Sequence, residues 1–521
     1  MTAKTRYDVL SSNRSQYLDI AKQASELTIP YLVQEDDNAT GARSLKTPWQ
    51  SVGAKGVVTL AAKLMLSLLP PQTSFFKLQV DESKLGDYGP EIKSELDLVF
   101  AKVERTILES IAASDDRVAV HQAMKHLVVS GNALLFMGKD KLKLFPLNRY
   151  VINRDGNGNV IEIVTKELIN KKLIEDLVPD LKAGQMNEYD DDDNDSADCD
   201  VYTHVKVKNN RVHWHQEVYD KIIPNSVSKS PLNVTPWLPL RFNTVDGEDY
   251  GRGRVEEFMG DLKSLEALSQ ALVEGSAAAA KVVFTVSPSA STKPATLAAA
   301  GNGAIIQGRP EDIGVIQVGK GADFQTAYQA AGTLEKRLSE AFLILSVRQS
   351  ERTTAEEVRM TQMELEQQLG GLFSLLTVEF LVPYLDRKLS VLQKAGAIPH
   401  IPKEIVRPTI VAGINALGRG QDRESLGMFL QTIAQTMGPE SIAQFINPDE
   451  VIKRLAAASG IDVLNLVKSM QEIQGEQQQQ MQQQMAMQQQ QNAPAMAAVD
   501  QKQMQAEMQM AMQAQQQQPP Q

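Results

Sequence analysis

Two helical stripes separated by a short strand-and-loop segment constrain this chain more than any other feature. Val255, Phe258, Met259, Leu262, Leu265, Leu268 and Leu272 recur at the spacing of one helix face, and the stripe ends near Gly275 and a run of alanines. Phe324, Tyr328, Ala331, Leu334, Leu338, Phe342 and Leu345 repeat the pattern further on. Between them, residues 281–287 and 314–318 are β-like, and residues 287–310 form a loop rich in Ser, Pro, Ala and Gly. Two long helices carrying a small module have lateral faces that a monomer cannot fully bury, so symmetric self-association is a natural solution. An α+β, mainly helical fold is expected.

The rest of the chain is punctuated by period changes. The spacing predicts helices from Arg6 to about Leu27, from about Pro48 to Leu69, from Pro90 to Ala113 and from Asp115 or Asp116 to Ser130. The period then drops to 2, with short strands at 133–137, 142–145, 150–153 and 160–165. Asp155-Gly156-Asn157-Gly158 reads as a hairpin turn, and Asn209-Asn210 as the turn of a second hairpin over Val201–Tyr219. That register places Val201, Thr203, Val205, Val207, Val212, Trp214 and Val218 on a buried face. Tyr202, His204, Lys206, His213, His215 and Glu217 fall on a wet one. After the second stripe the chain is interrupted over 346–352 and restarts at Thr354-Ala-Glu-Glu357, a capping box. The next helix is expected to stop at Val382 before Pro383, with a kink at Gly370-Gly371.

Charge and composition exclude several roles. Lys plus Arg is 53 and Asp plus Glu is 64, so the net charge of the 521 residues is 53 − 64 = −11. Seven aspartates, Asp190 to Asp193, Asp195, Asp198 and Asp200, lie within the acidic loop 188–200. A chain that grips nucleic acid all over should be basic, so any contact with DNA must come through local charge or a smooth channel. The single Cys199 makes no intramolecular disulfide and has no companions at zinc spacing. The most apolar stretch, 56–71, contains Lys63 and is shorter than the ~20 residues of a bilayer span, so no membrane is expected. From Gln471 onward the chain holds 23 Gln and 8 of its 19 Met in 51 residues, a low-complexity tail with no core-forming pattern.

No motif carries catalytic chemistry. Gly314-Val-Ile-Gln-Val-Gly319-Lys320-Gly321 resembles a phosphate loop, but Gly321 stands where a magnesium-binding Ser or Thr belongs, and a strand leading into a turn is the better reading. His204, His213 and His215 share a face that is simply the solvent side, and zinc would need more converging ligands. The aspartate block lacks the Gly and Glu of an EF-hand. No enzyme, metal or cofactor is therefore expected. Arg348 and Arg352 would meet phosphates if their loop lined a channel; otherwise they pair with Glu351 on the surface.

Several segments resemble the portal, or head-to-tail connector, proteins of short-tailed bacteriophages. They are Thr47-Pro-Trp-Gln-Ser-Val-Gly-Ala-Lys55, Ala61-Ala-Lys-Leu-Met-Leu66, Val255-Glu-Glu-Phe-Met-Gly-Asp-Leu-Lys-Ser-Leu-Glu266, Gly308-Arg-Pro-Glu-Asp-Ile313, Thr354-Ala-Glu-Glu-Val-Arg359, Leu369-Gly-Gly-Leu372 and Gly418-Arg-Gly-Gln-Asp422, in order over about 5–465.

The resemblance implies a homododecameric ring at the capsid vertex of the virion, assembled in the host cytoplasm, with double-stranded DNA passing through without sequence specificity. It implies docking of the terminase large subunit for packaging, then of tail adaptor and tail tube proteins for ejection, and contact with capsid and scaffold proteins as head assembly is nucleated. By the same resemblance, 1–252 is a wing region, 253–281 and 322–345 are stem helices, 282–321 is the clip and 346–353 a tunnel loop. Residues 354–401 return to the wing, 402–470 form the crown, and 471–521 are the tail. Arg348, Gln349, Ser350 and Arg352 then face DNA in the channel; Arg309, Glu311 and Asp312 contact the motor or adaptor; and Leu338, Phe342 and Leu345 pack between subunits. The competing readings are a nucleotide-driven motor using 314–321 and a structural adaptor or scaffold that oligomerises without conducting DNA.

Overall fold

The computed structural model describes residues 1–34, 44–71, 74–80, 90–138, 141–170, 173, 198–279, 283–301, 303, 305–316, 321–344, 369–399, 406–410, 419–438, 446, 451 and 503–512. The chain divides into two compact units, Met1–Leu417 and Gly418–Gln521.

The first unit opens on α1 (Ala3–Glu26), α2 (Val52–Leu68), β1 (Phe76–Val80), α3 (Pro90–Ala113) and α4 (Asp116–Ser130). α2 is apolar on most of its circumference, burying Val57, Leu60, Ala61, Leu64 and Leu68. Such a helix belongs in the middle of a bundle. Its closest neighbour is α4, which contributes Val120, Ala123, Met124, Leu127 and Val128 to the same core.

Strands β2 (Asn132–Met137), β3 (Leu142–Phe145), β4 (Tyr150–Arg154), β5 (Val160–Asn170), β6 (Asp198–Lys208), β7 (Arg211–Val218), β8 (Lys221–Ile222), β9 (Ser228–Pro231) and β10 (Trp237–Arg241) follow. They make a three-stranded sheet in the order β10-β2-β3 and a six-stranded one in the order β4-β5-β6-β7-β8, with β9 also on β7. Asn209 and Asn210 both have positive φ, 51° and 59°, and the two-residue turn sets His204 across from His215 as the register requires.

The expected wet face is half covered. Tyr202, His204 and Glu217 are buried because the start of α1 lies over them, packing Ala3, Tyr7 and Leu10 against Val151, Val164 and Tyr202. Glu217 accepts the Ala3 backbone N–H at 2.6 Å, and Arg6 donates to Glu162 at 2.8 Å. Only the end of the sheet near the turn remains outward. The acidic loop also differs from expectation: its last three residues, Asp198 to Asp200, begin β6. There Cys199 is buried beside Val201, Val218 and Ile223, and Asp200 pairs with Lys166 at 3.2 Å.

Next come α5 (Arg254–Glu257), α6 (Met259–Ala279), β11 (Val283–Val286), α7 (Pro294–Ala299), β12 (Ile313–Ile316) and α8 (Gly321–Ala341), all on or between the two predicted stripes. Then α9, Leu369–Lys394, runs straight through Pro383 instead of stopping before it. Proline has no N–H to donate, and its ring crowds the carbonyl four residues back, that of Glu379. A π turn over Thr377–Leu381 opens the helix at that place and accommodates the ring. Among the described residues α9 is the one helix long and apolar enough to cross a membrane. It buries Leu369, Leu372, Phe373, Leu376, Phe380, Leu381 and Tyr384 in the main core, and Lys388 meets Asp116 at 2.9 Å. It is a core helix.

β13 (Val406–Ile410) closes the unit by pairing antiparallel with β1, Phe76 opposite Ile410. In the second unit, α10 spans Arg419–Met437, and residues 503–512 of the Gln/Met tail are helical with Met504, Met508, Met510 and Met512 exposed.

Candidate functional site

α6 and α8 lie side by side and carry β11 and β12 at their far end. Arg337 of α8 reaches both carboxylate oxygens of Asp261 on α6, at 2.6 and 2.8 Å. Further along, Gly275 admits the ring of Phe324: a Cβ there would stand 2.5 Å from the Phe324 ring. Glycine is thus what lets the two helices approach at that level.

The near end, or root, of the pair is set into the core. Leu338 and Phe342 are wholly buried there, within the chain's own cluster. The resemblance implies that they pack between subunits; within this chain their side chains lie among its own core residues. Phe342 lies against Gly56 of α2, where an added Cβ would come 2.6 Å from its ring.

Two cations hold carbonyls at and just beyond the C-terminus of α8, the negative end of the helix dipole. Lys63 donates from Nζ to the Leu343 carbonyl at 2.6 Å, and Arg254 donates from Nη2 to the Ala341 carbonyl at 3.2 Å. Burial lowers the pKa of the Lys63 ammonium. Leu343 itself is left-handed, with φ 56°.

On the other side of the root, Glu266 of α6 accepts the backbone N–H groups of Trp49 and Gln50 ahead of α2. Gln50 in turn accepts from Gly53 N–H at 2.8 Å and donates to the Leu27 carbonyl at 2.7 Å. Three of the segments that carry the resemblance, 47–55, 61–66 and 255–266, are therefore joined physically at this root. Sequence reasoning gave Lys63, Arg254 and Glu266 no role. Its available signal was Lys63, set among Leu60, Ala61, Ala62 and Leu64 in an otherwise apolar stretch.

The far end, or tip, is built differently. Thr285 Oγ1 donates to the Gly314 carbonyl across the β11–β12 pair, and Ser287 N–H donates to the Asp312 carbonyl. Asp312 is half-buried, its carboxylate accepting from both the backbone N–H and the hydroxyl of Ser291 at 3.1 Å, so it organises the module from within. Arg309 and Glu311 project from the same turn and are exposed. Phe284, Ile305 and Tyr328 are exposed as well, and so is Val273 on α6.

Of the phosphate-loop lookalike, Gly314 to Ile316 are strand β12, paired to β11, and residues 317–320 lie outside the described ones. Arg348, Gln349, Ser350, Arg352 and Leu345 also lie outside, whereas Gly321 is the first residue of α8. Among the described residues no group of three or more His, Cys, Asp and Glu is placed to hold a metal ion.

The family model for the bacteriophage head to tail connecting protein matches residues 1–467. The chain belongs to that family. Among curated relatives, the portal protein of Escherichia phage T7 is 37% identical over 485 residues, covering 91% of this chain and 89% of the relative. That of Enterobacteria phage T3 is 38% identical over 488 residues with the same coverage, and that of Pseudomonas phage phiKMV 30% over 471, covering 88% and 90%. The family match takes in both units' described core elements and ends before the Gln/Met tail.

Proposed function

We propose that this head-to-tail connector is a portal protein: twelve copies form a ring at one capsid vertex, and DNA is packaged and later ejected through its central channel. The observation that carries this reading is the continuous likeness to portal proteins over about nine-tenths of the chain. The helix pair supports it physically. Its root is locked into the core, whereas its tip presents apolar side chains that the chain does not cover.

In this reading α6 and α8 are the stem and residues 282–321 the clip, with Arg309 and Glu311 available to the terminase and then to the tail. Residues 346–353 are the tunnel loop, placing Arg348, Gln349, Ser350 and Arg352 toward DNA. The pairing of β13 with β1 favours drawing the wing through Leu417 and the crown from Gly418. Capsid and scaffold proteins are the further partners at the vertex, and assembly takes place in the host cytoplasm. The role calls for conduction rather than catalysis, which suits an acidic chain with a few placed cations.

Negative-stain electron microscopy of the purified protein tests the ring: end-on views should show twelve-fold or neighbouring symmetry around an open channel. Filaments or closed discs would favour an adaptor that does not conduct DNA. Deleting residues 347–352 should leave rings that package or retain DNA poorly, and normal packaging would remove the loop assignment. Deleting 471–521 should leave ring assembly intact.

A further inference from the structure

The six-stranded sheet ends in a patch of positive charge that no role described above uses. Residues paired directly across an antiparallel sheet share a face, as do alternate residues along a strand. Lys206 pairs with His213, Lys208 with Arg211, and His213 with Lys229 on β9. All five side chains therefore project from one face of β6, β7 and β9. The opposite face at this end is turned inward: Val212 and Ser230 are buried there, and Val207 and Trp214 pack on the adjacent core.

Lys208, Arg211, His213 and Lys229 are exposed, and the Lys206 side chain is 45% exposed. Among the described residues, the carboxylates beside the patch are Glu162 and Glu217. Glu162 is 3.7 Å from Lys206 but is already engaged by Arg6 and by His204. Glu217 is engaged by the Ala3 N–H and by His215. From Lys206 to Gln216 the chain contains no acid, and none lies between Asp220 and Asp246.

Four fixed cations on a flat, two-residue-deep surface are conspicuous in a chain of net charge −11. They sit roughly 7 Å apart along a strand and about 5 Å between strands. That is the spacing of a polyanion with closely set charges, and a duplex carries one phosphate charge per about 1.7 Å of its axis. An antiparallel sheet face carrying lysine and arginine tips without an apolar centre suits a phosphate backbone better than a folded protein surface, whose contact core is apolar.

We propose that this sheet end is a sequence-independent binding surface for the phosphate backbone of duplex DNA, separate from any channel. It makes about four phosphate contacts, through Lys206, Lys208, Arg211 and Lys229.

Covalently closed circular duplex DNA has no end to thread into a ring, so its binding reports an outer surface alone. Binding of the full chain to such circles, measured by co-sedimentation from 50 to 200 mM salt, should weaken on the order of 100-fold, with a log–log slope of about −4. The variant Lys206→Gln/Lys208→Gln/Arg211→Gln/Lys229→Gln should lose at least tenfold in affinity at low salt with unchanged oligomer size. Lys208→Gln/Arg211→Gln, confined to the two positions flanking the turn, should reduce the slope by about 2 and serves if the fourfold variant misfolds. Equal binding by wild type and both variants, or none by wild type, overturns the proposal. So does displacement of the circles by polyaspartate at equal charge, which would make the patch a site for an acidic protein segment. Failure of the portal reading would show separately, as the absence of rings.

Discussion

The two ends of the α6–α8 pair are made from the same kind of apolar repeat and meet opposite fates. At the root, Leu338 and Phe342 are fully buried, Gly56 gives Phe342 its seat, and Lys63, Arg254 and Glu266 satisfy backbone groups of neighbouring elements. At the tip, Tyr328 of the same stripe is 73% exposed and Phe284 56%. Thr292 is the one residue of the described tip buried below a tenth of its surface, and its partner is the Gln307 carbonyl at 3.4 Å. A helix can be anchored by its core at one end and remain a platform at the other. The difference lies in what α2 and α4 supply beneath the root, not in the helices themselves.

The contrast should be breakable at the root first. Phe342→Asp would place a charge in a closed core and is expected to abolish folding. Phe342→Ala should cost about 3–5 kcal/mol, measured by urea unfolding, because α2 cannot collapse onto the space left behind. Tyr328→Ala at the tip should change the same measurement by no more than about 0.5 kcal/mol. Similar losses from both would mean that the tip is packed after all. Gly56→Ala probes the seat itself: its Cβ meets the Phe342 ring at 2.6 Å, and about 1–3 kcal/mol of overpacking is expected.

Acid should loosen the bed on which the root rests. His126 of α4 is buried, and burial, aided by Lys125, holds its imidazole at about 4, against 6.5 for the free group. Protons therefore bind the unfolded chain first. The stability that neutral His126 contributes is complete above pH 6.5 and is lost as the pH falls toward about 4. Between pH 6.5 and 5, above the carboxylate range, the loss should be about 2 kcal/mol. Burial lowers His121 and His204 in the same direction, so His126→Leu should remove the largest share of this slope rather than all of it. An unchanged slope in that variant would show that α4 is open to water.

Much of this arrangement is legible in the sequence where a local rule acts alone. Pro90 at a first helical turn and an unbroken period place α3 at Pro90–Ala113, and Asn209-Asn210 set the register of β6 on β7. Readings fail where a distant element decides. The face bearing Tyr202, His204 and Glu217 alternates like a wet one, and only α1, about two hundred residues earlier, makes it dry. Pro383 is a stop by local rules, but the π turn and the packing of Phe380 and Tyr384 on both sides of it carry the helix through. The two stripes look uniform for the same reason: periodicity marks a face, and what covers that face is written elsewhere in the chain.

Between these extremes stands Glu266, which joins α6 to the entrance of α2 without being buried. Ser51, at the N-cap of α2, makes no side-chain bond there; Gln50 accepts the first-turn N–H of Gly53 in its place, and Glu266 holds the Trp49 and Gln50 backbone that leads into the helix. Glu266→Ala should cost about 1–2 kcal/mol in urea unfolding, less than any change beneath Phe342.

The smallest effect belongs to the tip. Phe284→Ser combined with Ile305→Ser removes two side chains that are 56% and 101% exposed, and the unfolding free energy of the isolated chain should change by no more than about 0.5 kcal/mol. If these residues are covered by a neighbouring copy, the same double variant should shift the assembly equilibrium measured by analytical ultracentrifugation toward smaller species. A loss of subunit stability without a change in assembly would place the tip with the root, as part of the folded core, and the contrast between the two ends would disappear.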